Sequence, residues 1–165
     1  MRQNLMIITA VTLMVFFTSP AIADIIVNIV DESSLPYNLS PNKYDNSPNK
    51  YDNSPNKYDN SSNKYDNSSN KYDNSPSKYS NTASGDKRLL LKSDGKLTFV
   101  GYYTRNGSIT NFFSPKGTRL FYNPPGTDSV FEAEGGEFSG VFVMSDGSYV
   151  LGLTKNGLKS LLLAD

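Results

Sequence analysis

From residue 87 onward, apolar and polar positions succeed one another at strand-like intervals, interrupted on a regular beat by turn dipeptides. Asp94-Gly95, Asn106-Gly107, Lys116-Gly117, Pro125-Gly126, Gly135-Gly136, Asp146-Gly147 and Asn156-Gly157 set the turn glycines 12, 10, 9, 10, 11 and 10 residues apart. Asn-Gly and Asp-Gly supply the positive φ angles of tight hairpins, so seven turns predict about eight short strands. The stretches 97–103, 138–144 and 149–153 alternate, whereas Arg88-Leu89-Leu90-Leu91 carries apolar side chains for both faces. Strands with no wet face need cover on both sides. The pattern therefore predicts an all-β fold over 87–165, a small antiparallel meander of about eight strands that is barrel-like or two-layered.

The middle of the chain follows a different rule. Asn42-Lys43-Tyr44-Asp45-Asn46-Ser47-Pro48 recurs through residue 76 with Ser62 and Ser69 in place of Pro, and a degraded copy closes at Asn81. Tyr37, Tyr44, Tyr51, Tyr58, Tyr65, Tyr72 and Tyr79 fall seven residues apart. A coiled coil is excluded, because each heptad has one aromatic among helix-competing residues and Pro41, Pro48, Pro55 and Pro76 would break the turns. A flat strand is excluded by the odd period, which alternates the rings between faces. Two readings remain for this low-complexity heptad-repeat tract, 36–86. In one it is a linker with local turns, soluble and reluctant to collapse onto its neighbour. In the other each heptad is one turn of a spiral that stacks Tyr on Tyr and Asn on Asn. The absence of aliphatic residues favours the linker.

Residues 24–35 add a β-branched run, Ile25-Ile26-Val27-Asn28-Ile29-Val30, read as a short strand that pairs with an edge of the C-terminal sheet. The tract would then be a long closed loop. The alternative is an exposed strand for a partner to pair with. Before it, Arg2, the apolar run 5–17, Ser19-Pro20 and Ala21-Ile22-Ala23 read as a signal peptide over 1–23, cleaved after Ala23. The run is shorter than the 18 or so residues of a spanning helix, so no transmembrane span is expected in the mature chain.

Composition narrows the chemistry. The 165 residues carry 16 basic and 16 acidic side chains and no Cys, His or Trp. Thiolate and imidazole ligands, Ser-His and Cys-His nucleophiles and lipid-modified thiols are all excluded. Neutrality, overall and within each repeat, argues against nucleic acid despite the interleaved Lys and Tyr. Asp128, Glu132, Glu134 and Glu137 form an acidic patch in which Glu132 and Glu134 would share one strand face. The patch reads first as a solvated surface, without calcium-loop spacing. Lys87-Arg88 and Lys92 read as solubilising charges. No catalytic, metal or cofactor residue is expected.

The units Asn46-Ser47-Pro48-Asn49-Lys50-Tyr51-Asp52, followed by a short Gly-rich β region, resemble a loose group of exported bacterial proteins. These combine tandem Asn-Ser-Pro/Ser-x-x-aromatic-acid-Asn repeats with a similar C-terminal region, other members often carrying Trp in the aromatic slot. The resemblance implies export and carries no functional residue with it. The expectation is an exported, non-enzymatic binding or structural protein of the envelope, in the periplasm or beyond the cell. Tyr44, Tyr51, Tyr58, Tyr65 and Tyr72 are its candidate contacts, against a bland reading in which the rings stay in solvent, and the partner is an envelope glycan or another envelope protein. The alternative is a small periplasmic enzyme or enzyme inhibitor that uses the patch at 128–137.

Overall fold

A computed structural model describes residues 24–164; the expected signal peptide and its cleavage point after Ala23 lie outside the described residues. Eight strands close into one barrel: β1 (Ile25–Ile29), β2 (Arg88–Ser93), β3 (Lys96–Asn106), β4 (Ile109–Phe113), β5 (Arg119–Asn123), β6 (Ser129–Glu132), β7 (Phe138–Ser145) and β8 (Ser148–Leu153). Strands β2 to β8 form the expected antiparallel meander. The N-terminal strand closes it, running parallel to β2 (Ile25 opposite Leu89) and to β8 (Ile26 opposite Val150). Arg88, read from the sequence as a solubilising charge, forms a two-pronged ion pair with Asp24 at the start of β1.

Two corrections apply to the hairpin reading. Residues 87–165 hold seven strands rather than about eight, and β1 supplies the eighth. Asn156-Gly157 is not a hairpin turn but part of the helix α1 (Lys155–Leu163), whose N-cap Thr154 accepts a hydrogen bond from Gly157 N–H. A capping hydroxyl followed by Leu158 and Leu161 at helical spacing overrides the turn preference of Asn-Gly. Leu161 packs into the barrel core.

The barrel interior takes one residue in two from each strand, with Ile25, Leu89, Tyr103, Phe112, Phe121, Val130, Phe142 and Leu151 in a single cluster. A bulge in β3 leaves Val100 without a partner between Gly101 and Phe99, which turns Val100 into this cluster as well. The alternate residues of β3 to β6 face outward and are also buried, large aromatics beside polar Thr104 and Asn111. Tyr102 stacks on Phe113 with ring centroids 5.1 Å apart, and Tyr122 packs with Phe131 and Ile109. All four aromatic side chains are fully buried. Their cover is the repeat tract, which is therefore neither linker nor free of its neighbour.

The tract winds as a spiral with one heptad per turn. Each repeat makes a tight turn beginning at Tyr, as at Tyr44–Asn46, Tyr51–Asn53, Tyr65–Asn67, Tyr72–Asn74 and Tyr79–Asn81, with the preceding Lys extended at φ near −74°. Within the repeats the backbone hydrogen bonds are local, such as Asn53 N–H to Lys50 C=O at 2.9 Å. The turns of the spiral are joined by side chains. Asn53 Nδ2 donates to the carbonyls of Asp45 and Ser47, both at 2.9 Å, and Asn60, Asn67, Asn74 and Asn81 repeat this one turn further on each time. Acceptors eight and six residues back place each Asn beside its counterpart seven residues earlier. The buried interior of the spiral is an amide ladder, which is why it needs no aliphatic side chain.

Candidate functional site

The spiral forms a belt around the barrel. Leaving β1, the chain passes β8, where Val30 N–H donates to Leu153 C=O. Thr127, in the β5–β6 connection, then donates to Asn46 Oδ1 at 2.8 Å. The Tyr122 hydroxyl on β5 donates to Asn53 C=O at 2.6 Å, Arg119 Nη1 to Asn60 C=O at 2.9 Å, and Asn111 Nδ2 on β4 to Asn67 Oδ1 at 3.2 Å. On β3, Tyr102 OH reaches Asn74 C=O at 2.6 Å and Thr104 Oγ1 reaches Asn74 Oδ1 at 2.7 Å. Successive turns thus meet β5, β4 and β3 in order before the chain enters β2.

The repeats are not interchangeable in this arrangement. Where Pro55 and Pro76 reach the barrel they lie against Gly136 and Gly117, and a Cβ on either glycine would come within 2.4 and 2.9 Å of the facing ring. In the repeat that carries Ser62 in place of Pro, the serine Oγ accepts from Arg119 Nη1 at 3.1 Å. Arg119 also donates to Asn111 Oδ1 and lies 5.0 Å from the Tyr122 ring centroid. Burial pushes its guanidinium down to about 10, still charged at neutral pH. Among the described residues it has no ion-pair partner, and its Nη2 has no hydrogen-bond acceptor. It is a half-buried cation held by neutral acceptors and an aromatic face.

The outer face of the belt carries the candidate contacts. Tyr44, Tyr51, Tyr58, Tyr65 and Tyr72, with Tyr37 and Tyr79 at the two ends, form one row in which every side chain is 62–72% exposed. The six asparagines Asn46, Asn53, Asn60, Asn67, Asn74 and Asn81 are at most 3% exposed. Beside the rings runs a ladder of ion pairs: Lys50 with Asp45, Lys57 with Asp52, Lys64 with Asp59 and Lys71 with Asp66 at 2.7–2.9 Å, and Lys78 with Asp73. Hydrogen bonds from the lysines hold all five aspartates below the usual carboxylate range. The same ammonium groups lean over rings of the previous turn, Lys50 over Tyr44, Lys64 over Tyr58 and Lys78 over Tyr72, at 5.5–5.8 Å.

The acidic patch is arranged otherwise than its spacing suggested. Glu132 ends β6 while Glu134 lies in the following turn, so the two do not share a strand face. Glu132 and Glu137 line an open concavity of about 700 Å³ together with Asp31, Glu32, Ser139 and Lys155. Asp128, Glu134 and Glu137 are exposed and Glu132 is half-buried, so no carboxylate is shielded from water. Asp31 caps the turn Glu32–Ser34, and the hydrogen bonds from Ser33 hold its carboxyl below the usual range. Among the described residues no group of three or more acidic side chains is placed to hold a metal ion.

The sequence pointed to the tyrosines but not to what fixes them: the amide ladder and Tyr102, Asn111, Arg119, Tyr122 and Thr127 beneath it. The available signal was the replacement of Pro by Ser62, the copy that bonds to Arg119. Among the described residues no helix is long and apolar enough to cross a membrane. No family model, curated protein or solved structure matches this chain.

Proposed function

We propose that this is an exported, non-enzymatic binding protein of the bacterial envelope whose contact surface is the tyrosine row. The observation that carries the reading is the inversion of each repeat, in which the amide is buried and the aromatic is left in water. Burying an aromatic ring contributes roughly 1.5–3 kcal/mol, and folding forgoes most of that gain at seven tyrosines in succession along the tract. A ring-and-hydroxyl surface that contributes little to the fold is available to a partner. The barrel serves as a rigid former around which the row is wound. The signal-like segment 1–23 and the resemblance to exported repeat proteins support the location, and an envelope glycan or another envelope protein is the partner.

The test replaces the seven repeat tyrosines by Ser and follows the protein through cell fractionation. Because these side chains lie outside the amide ladder, the variant is expected to keep its β-sheet circular dichroism while losing retention in the envelope fraction. A folded variant with unchanged fractionation would reject the contact role.

A further inference from the structure

Resting on that reading, we infer that the tyrosine row binds an uncharged, extended polysaccharide, stacking successive sugar rings on successive tyrosines. Three features of the surface select this occupant. The first is charge. Lys50, Lys57, Lys64, Lys71 and Lys78 are each engaged by an aspartate of the neighbouring turn, and Lys43 at the leading end shares Asp45 at 3.8 Å. The charges beside the rings are therefore paired locally rather than presented as a single-sign track for a charged ligand. A polyanion would have to break these pairs, and a polycation would meet lysines already leaning over the rings. The second is repetition. One ring per heptad, held by the same turn and the same pair of Asn hydrogen bonds each time, presents chemically equivalent platforms in a single file. Such a file matches a ligand that is itself a repeating chain. The third is the kind of contact offered. The rings stand among Lys, Asp, Asn and Ser, and the one aliphatic residue of the unit, Pro, is turned against the barrel at Pro55 and Pro76, so the surface suits a ligand with small apolar faces and hydroxyl edges rather than lipid or an apolar helix. Strand addition is also disfavoured, because the Lys, Tyr, Asp and Ser carbonyls of the repeats accept from the local turns and the asparagines, which leaves no continuous run of backbone groups for a partner strand.

Binding of this kind is multivalent. Each stacked ring contributes weakly, and the turns act together only on a ligand long enough to span them. A series of neutral linear β-1,4-glucan oligosaccharides, with polyanionic alginate as the charged comparison, tests this in tyrosine-ring NMR of the full protein. The expected result is that ring signals of the repeat tyrosines shift while those of buried Tyr102, Tyr103 and Tyr122 do not. Apparent affinity should rise about tenfold or more between the shortest and longest oligomers and be indifferent to salt. Tyr58→Ser, which interrupts the row at its centre, should flatten that length dependence, weakening the longest oligomers far more than the shortest. Three results would overturn the inference: no neutral oligomer shifts the repeat rings, affinity does not depend on length, or alginate binds better and is released by salt. If the glucans fail while envelope retention still depends on the tyrosines, the polysaccharide assignment falls and a protein partner stands. If both fail, the binding role falls with it. Ring shifts that depend on protein concentration alone would assign the row to a second copy of this chain.

Discussion

Pro55 and Gly136 fit face to face: a Cβ added to Gly136 would lie 2.4 Å from Pro55 Cδ, closer than any side chain tolerates. Gly136 also has φ +75°, and Gly126, at φ +83°, has open space where its Cβ would be. The pair separates backbone strain from loss of belt contact. Gly126→Ala is expected to cost about 1 kcal/mol in denaturant unfolding, the left-handed penalty alone. Gly136→Ala should cost a further 1–3 kcal/mol or so, because the belt must lift from the β6–β7 connection. Equal losses at the two positions would mean that the belt is not seated there.

The amide ladder makes a sharp distinction between asparagines of one heptad. Asn60 is buried and donates to Asp52 and Ser54 carbonyls at 2.8 and 3.0 Å, whereas Asn56 is exposed. Asn60→Ala leaves the part-buried Asp52 carbonyl without its donor and the Ser54 carbonyl with only Lys57 N–H, and is expected to destabilise the protein by about 2 kcal/mol. Asn56→Ala should stay within about 0.5 kcal/mol of the parent. Chemical denaturation of the two variants side by side provides the check.

Repeat number is set by the barrel beneath it. Deleting residues 56–62 removes one full turn and leaves a regular spiral, yet the bonds from Tyr122 to Asn53 and from Tyr102 to Asn74 can no longer both form. A flexible linker would lose little on shortening, since loop entropy changes slowly with length. For the belt, the expected outcome is a large fall in melting temperature and rapid proteolysis within the tract. Tolerance of the deletion would contradict the seated spiral.

The ion-pair ladder gives the stability a predictable pH dependence. Asp45, Asp52, Asp59, Asp66 and Asp73 have folded pKa values below their unfolded ones, chiefly through hydrogen bonds from the lysine of the next turn. Their contribution is complete above the unfolded value of about 4 and is lost as pH falls through the depressed folded values. Lys50, Lys57 and Lys64 are raised by the same bonds, so their contribution holds below about 10.4 and is lost as pH rises through the raised folded values. Melting temperature against pH should therefore show a plateau between these limits, falling on both sides. The acid limb should be shallower in about 1 M salt, because the pairs are exposed and screened.

Much of the barrel was legible in the chain because its signals are local. Asp94-Gly95 and Asp146-Gly147 adopt the paired positive φ angles that tight hairpins require, and the pairing of 25–29 with a sheet edge, though not its closing of the barrel, followed from its apolar, β-branched run. The doubled apolar faces were also visible and argued against an open sheet with one wet face, although not for the further layer that covers the outside of the barrel. That layer is the repeat tract, and the expectation of a linker failed on one assumption, that an interior must be aliphatic. Here the interior is Asn, whose amide satisfies two carbonyls of the turn before it, a relationship that appears only once the chain is coiled. The distribution of Pro and Ser among the copies likewise has no meaning until Gly117, Gly136 and Arg119 are set opposite them. The tyrosine row needed only the period, and so was found.

β1 sits between two strands that arrive long after it. Its neighbours are β2, beginning at Arg88, and β8, ending at Leu153, so the first strand to be synthesised is among the last to find both partners. The local hairpins from β2 to β8 have low sequence separation and form early, while β1 must wait for a loop of nearly sixty residues to wind around them. Throughout that interval an Ile-Ile-Val-Asn-Ile segment stands unpaired ahead of the repeat tract. The strand that closes the native barrel is, for as long as the belt is unwound, the segment through which nascent molecules would aggregate.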